Sequence, residues 1–125
     1  MTPSRRKEPL YLADIRDAID KILSYTSAGK EAFLADPRTQ DAVLRNIEII
    51  GEAVRGVTHE TRAAHSEIPW KEMAGMRDRI IHDYFRVDAD VVWDVVSQDL
   101  PTLRGKIADL LQTSDARGGS KIGPT

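Results

Sequence analysis

Apolar residues along this chain recur at intervals of three and four, the spacing that gives a helix one greasy face. Leu12, Ile15, Ile19, Ile22 and Leu23 open the pattern, with Pro9 suited to a first turn and Ser27-Ala28-Gly29 to a stop, so a first helix is predicted over 9–27. Lys30 to Ala35 fits a short helix. Asp36-Pro37 then announces the next element, because an Asp side chain can accept the unpaired N–H groups of a first turn and Pro sacrifices no bond at the first helical position. Val43, Ile47, Ile50, Val54 and Val57 continue in alternating steps of four and three, a seam for packing against another helix, which predicts a second long helix over 37–57. Gly51 beside that seam costs about 1 kcal/mol of helix propensity relative to Ala, and close approach of a neighbouring backbone is the expected reason for it.

Ile68-Pro69-Trp70 opens a third long helix, expected over 69–85, and Asp88 is the expected N-cap of a fourth. The run Val91-Val92-Trp93-Asp94-Val95-Val96 has strand-like composition. Val92, Val96, Leu100, Leu103, Ile107 and Leu110 nevertheless hold a helical spacing far longer than a strand, so the segment is read as helix, broken or kinked near Pro101. Residues 1–8 read as a basic leader, 9–111 as one helical domain and 112–125, with three glycines and a proline, as a flexible tail. Short connections between the long helices predict an all-α antiparallel bundle of four to five helices.

Composition narrows the function classes. The 125 residues hold no cysteine, which excludes a disulfide framework and thiolate metal sites and is compatible with a reducing cytoplasm. No run of about 20 apolar residues is available to cross a bilayer, and the start of the chain lacks the apolar core of a secretory signal, so a soluble domain is expected. Eighteen Lys and Arg face 20 Asp and Glu, for a net charge of −2. Three of those cations precede residue 8, while two cations and one acid follow residue 111, so the stretch 8–111 holds 13 cations against 19 acids. A body of charge −6 does not capture a polyanion over a broad surface. Any action on nucleic acid must rest on a few placed cations.

The third helix breaks its own pattern. Trp70, Met73, Ala74, Ile80, Ile81 and Tyr84 share one stripe, and Arg77 falls in the middle of it. Asp78 and His82, four residues apart, project together beside the stripe, so the carboxylate can orient or charge the imidazole. Gly75 on the same flank leaves room for an approaching chain or substrate. A fixed cation, a group that exchanges protons near neutrality, a carboxylate and a phenol suit attack by a ribose 2′-OH on its own phosphodiester: His82 moves a proton and Arg77 stabilises the phosphorane, without a metal. Residues five apart on a helix diverge by roughly 140°, so Arg77 and His82 converge through the length of Arg, a helix distortion or a second protomer. The plainer readings are an internal ion pair of Arg77 with Glu48 or Glu52, a surface His82, and core anchoring by Tyr84, Trp70 and Trp93. His59 and His65 receive no role, and with His82 they make no metal-ligand pattern.

Arg77-Asp78-Arg79-Ile80-Ile81-His82-Asp83-Tyr84 resembles the Arg-x4-His-x-Tyr signature of HepT, the HEPN-domain ribonuclease toxin of HepT–MntA (type VII) toxin–antitoxin systems. Arg45-Asn46-Ile47-Glu48-Ile49-Ile50-Gly51-Glu52-Ala53 is similar to that family's second long helix, and the blocks Ile68-Pro69-Trp70, Ala74-Gly75-Met76, Val87-Asp88, Val92-Trp93 and Asp99-Leu100-Pro101 follow in the family's order, over about residues 10–111. The resemblance implies a homodimeric or higher-order HEPN-type bundle with a metal-independent, cofactor-free endoribonuclease site in the cleft between protomers. It implies Arg77 and His82 as catalytic residues, Asp78 as their support, and Tyr84 as the residue onto which an MntA-type nucleotidyltransferase antitoxin transfers AMP, silencing the toxin. RNA is the implied substrate, the cytoplasm the implied location and a membrane no part of it. A non-catalytic nucleotide- or RNA-binding partner subunit of such a nucleotidyltransferase is the alternative.

Overall fold

The computed structural model describes residues 8–82 and 88–122, and of residues 77, 79–82 and 114–122 the backbone alone. Tyr84, within the segment 83–87, lies outside the described residues. All described regular structure is helical: α1 Glu8–Tyr25, α2 Lys30–Leu34, α3 Pro37–Val54, α4 His59–Ala64, α5 Trp70–His82, α6 Ala89–Asp94, a π turn Val95–Asp99, and α7 Leu100–Ile122.

The four long helices are those that the apolar spacing predicts. Leu12, Ile15, Ile19 and Ile22 of α1 are sealed from solvent together with Val43, Ile47, Ile50 and Val54 of α3, while Leu100, Leu103, Ile107 and Leu110 bring α7 into the same core. Each such aliphatic side chain stabilises the fold by roughly 1.5–3 kcal/mol relative to exposure, and their regular spacing is what selects helices that bury them together. In this arrangement α1 packs on both α3 and α7, and α5 packs on α3. Arg104 of α7 donates from Nε to Asp20 of α1 at 2.9 Å, marking the α1–α7 contact at its solvent edge.

Helix ends follow local chemistry. Thr26, buried, turns its hydroxyl back to the Ile22 carbonyl at 2.8 Å and closes α1. Gly29 stands at φ +99°, where a side chain would be strained, and its N–H donates to Thr26 O before α2 starts. Asp36 caps α3 as the Asp-Pro pair foretells, accepting from the N–H groups of Arg38 and Thr39 and from the Thr39 hydroxyl at 2.7 Å. The Thr39 bonds hold its carboxyl below the ordinary value.

Three features differ from expectation, and one expected break takes a specific form. The seam of α3 extends through Val57, but the helix ends at Val54: Arg55, Gly56 and Val57 donate to the carbonyls three residues back, a tighter turn that still buries Val57. The connection between Val57 and Ile68 contains a short helix, α4, capped by Thr58 Oγ1 accepting the Thr61 N–H; it buries no side chain, so no apolar period announces it. The break expected near Pro101 is a π turn, in which the Leu100 N–H reaches the Val95 carbonyl; Pro101 has no N–H for the carbonyl four residues back and its ring crowds that carbonyl. Finally, α7 runs on to Ile122, where the glycines predicted a flexible tail from 112. Extending an existing helix adds one hydrogen bond per residue fixed, without a new nucleation cost.

Candidate active site

The third long helix is anchored at its start. Trp70 is buried and its indole Nε1 donates to the His65 carbonyl at 3.0 Å, while its own N–H reaches Ile68 O at 2.8 Å. Met73, sealed beneath, donates its N–H to the Pro69 carbonyl, and Lys106 of α7 donates from Nζ to Glu67 O at 3.1 Å. The loop before α5 is thus tied to both the helix and the bundle, which fixes the direction of everything that follows. Trp70 is the core anchor its pattern predicts. Trp93 is half-buried instead, its ring centroid 5.7 Å from that of Phe33 on α2. His65, given no role from sequence, supplies a carbonyl to Trp70 and sets its Nδ1 3.8 Å from Glu67.

From that anchor α5 continues without interruption to His82, so Arg77, Asp78 and His82 share one helix. Its geometry separates Arg77 and His82 by five residues, roughly 7.5 Å of rise and 140° of rotation, and brings Asp78 and His82 to the same flank. Asp78 is exposed. A side chain added at Gly75, about two turns before His82, would meet nothing within 4 Å, so the backbone there stands open, as the position of that glycine predicts. Glu48, one of the two carboxylates expected as partners for Arg77, has Arg45 of its own helix at 4.0 Å.

The far side of the segment 83–87 is also held. Asp88 caps α6 by accepting the Asp90 N–H at 2.9 Å; Lys30 of α2 pairs with Asp90 at 3.3 Å; and Val92 is buried. Among the described residues no group of three or more His, Asp or Glu stands where it could hold a metal ion, and no helix is long and apolar enough to cross a membrane.

Comparison with known proteins bears on what this helix does. The family model described as Ribonuclease HepT-like matches residues 15–110, from the middle of α1 to Leu110 of α7 and through the whole of α5. The chain belongs to the HepT-like ribonuclease family. Among its relatives in that family is a protein of Thermococcus cleftensis named "Probable ribonuclease HepT", 47% identical over 107 residues that cover 85% of this chain and 97% of the relative. A Caldanaerobacter subterraneus protein named "Putative RNase TTE0752" is 44% identical over 82 residues, 66% of this chain and 73% of its own. "Gamma-glutamylcyclotransferase and putative RNase MJ0434" of Methanocaldococcus jannaschii is 40% identical over 118 residues, 94% of this chain and 53% of that longer protein. No solved structure matches the chain significantly.

HepT-like membership corresponds to the all-α bundle seen here and to the blocks of sequence that the resemblance rests on. Sequence reasoning overlooked what flanks the candidate site: the α2–α6 contact through Lys30 and Phe33, and a groove between α5 and the π turn. Neither has a periodic signal, because both arise from residues distant in the chain.

Proposed function

We propose that this protein is the ribonuclease toxin of a toxin–antitoxin pair, an endoribonuclease that cuts RNA without a metal at a site shared by two protomers. The observation that carries the reading is the family match over residues 15–110, which includes Arg77, Asp78 and His82 on one continuous helix. In the reaction, a ribose 2′-oxygen attacks the adjacent phosphorus and the 5′-oxygen departs. His82 takes the 2′-OH proton or gives one to the leaving oxygen, and Arg77 stabilises the extra charge on the phosphorane. Asp78, one turn before His82, orients the imidazole as a positioning residue.

Helical phase supports a composite site. One protomer's Arg77 and His82 diverge around α5, whereas pairing two copies of this helix lets the Arg77 of one face the His82 of the other. Such a site also reconciles RNA as substrate with a body of net charge −6, since the cations act locally in a cleft.

Control falls to Tyr84. An MntA-type nucleotidyltransferase partner transfers AMP from ATP: the phenol oxygen attacks the α-phosphorus and pyrophosphate leaves. The product carries a phosphodiester charge and a nucleoside two residues from His82, which obstructs the cleft and competes with RNA for Arg77. The test is cleavage of single-stranded RNA by wild type and Tyr84→Phe, each with and without prior incubation with the partner and ATP. Wild type should lose activity and gain one or more adenylyl groups on Tyr84, while Tyr84→Phe should stay active and unmodified. Modification at another residue, or equal silencing of Tyr84→Phe, would overturn the assignment.

A further inference from the structure

Residues of α5, the π turn and the start of α7 line one groove. α5 is packed on α3 and α7 on α1, and this open groove of about 380 Å³ lies between them. That volume falls in the range of small-molecule sites, roughly 300–1,000 Å³, and suits one nucleoside. Its floor is apolar, made by buried Met73 and Leu103, with half-buried Met76 and Val95 as walls. Its polar groups are Glu72 from α5, Gln98 and Asp99 from the π turn, and Thr102 and Lys106 from α7. π turns recur at functional sites because the extra residue re-aims neighbouring side chains, and here the turn supplies two of the five polar groups.

We propose that this groove is a base-binding subsite that takes an unpaired guanine. The apolar floor with its polarizable thioethers suits the flat face of a base. The groove is rich in acceptors, two carboxylates, one carboxamide and the Thr102 hydroxyl, and its one cation, Lys106, is engaged by the Glu67 carbonyl. Two carboxylates repel a phosphate, so the occupant is the base rather than the backbone. Guanine presents two adjacent donors, N1–H and the 2-amino group, which one carboxylate accepts as a fork, and Gln98 can donate to its O6. Adenine, cytosine and uracil lack that pair of donors. On α5 the groove position Met73 precedes Arg77 by one helical turn. The RNA context rests on the ribonuclease reading; guanine recognition rests on the groove alone.

The test uses the chain's three methionines, of which Met73 and Met76 line the groove. In full-length protein labelled with 13C-methyl methionine, guanosine 5′-monophosphate should shift the Met73 and Met76 methyl signals saturably. Inosine monophosphate, which lacks the 2-amino group, and the adenosine, cytidine and uridine monophosphates should bind at least fivefold more weakly. Asp99→Asn should weaken guanosine monophosphate binding at least fivefold with the unliganded methyl positions unchanged, and Asp99→Glu should restore part of it. Absent shifts, equal shifts with all nucleotides, or unchanged affinity in Asp99→Asn overturn the subsite. Guanosine monophosphate binding by a protein that cuts no RNA would uphold the subsite and refute the ribonuclease reading instead. Cutting without binding would do the reverse.

Discussion

The carboxylate of Glu8, at the start of α1, accepts the backbone N–H of Thr58 at 2.6 Å, tying the first helix to the cap of α4; its other oxygen accepts the Thr61 hydroxyl at 2.7 Å. Partial burial pushes the Glu8 carboxyl up, but the bonds from Thr58 and Thr61 and the nearness of His65 outweigh it, and the net shift is downward. A lowered carboxylate contributes stability above its unfolded value and loses it as pH falls through the folded value. Because the group is largely solvated, the contribution is about 1 kcal/mol or less. Glu8→Gln should therefore unfold more easily than wild type at pH 7, and the two curves should converge below about pH 4. Parallel denaturation curves across that range check this; a constant gap would contradict it.

Gly56 lies against the ring of Tyr11, so closely that a Cβ there would collide with it. Gly56→Ala is expected to destabilise by about 1–3 kcal/mol, the usual cost of forcing extra volume into a packed site. The same substitution in a Tyr11→Ala background should cost markedly less. Equal losses in both backgrounds, measured by urea denaturation, would mean that the Tyr11 ring is not what selects glycine.

How much of this was legible in the sequence follows from where the information lies. The cores of α1, α3 and α7 were readable because Leu12 to Ile22, Val43 to Val57 and Val92 to Leu110 repeat at helical spacing, and even the valine-rich stretch resolved as helix once its period was followed. Asp36 and Asp88 marked helix starts through chemistry that acts within three residues. What was not legible depends on partners elsewhere in the chain or on costs too small for a pattern. α4 buries nothing, α7 outruns its apolar stripe, and Glu8 meets residues fifty positions away. Of the candidate site, the motif could be read as Arg77, Asp78, His82 and Tyr84 in order, while the groove formed by Met73, Met76 and the π turn required the helices to be placed.

A site shared between protomers has a consequence for mixed chains. Arg77→Ala and His82→Ala homodimers should each be inactive. Mixing them under conditions of subunit exchange should restore cleavage, because half of the exchanged dimers carry one site with an intact Arg77 from one chain and an intact His82 from the other. Rates followed during exchange test this; no recovery despite confirmed heterodimers would place both groups of a working site on one chain.

The central claim is that His82 carries out proton transfer in metal-free RNA cleavage. The most direct measurement is the rate at which the purified, unmodified protein cuts a single-stranded RNA in excess EDTA, wild type against His82→Ala. Loss of a general acid or base typically costs about 10²–10⁴-fold, and a fall of that size with the fold intact is the expected result. Equal rates for the two proteins, or wild-type cleavage abolished by EDTA, would contradict the account.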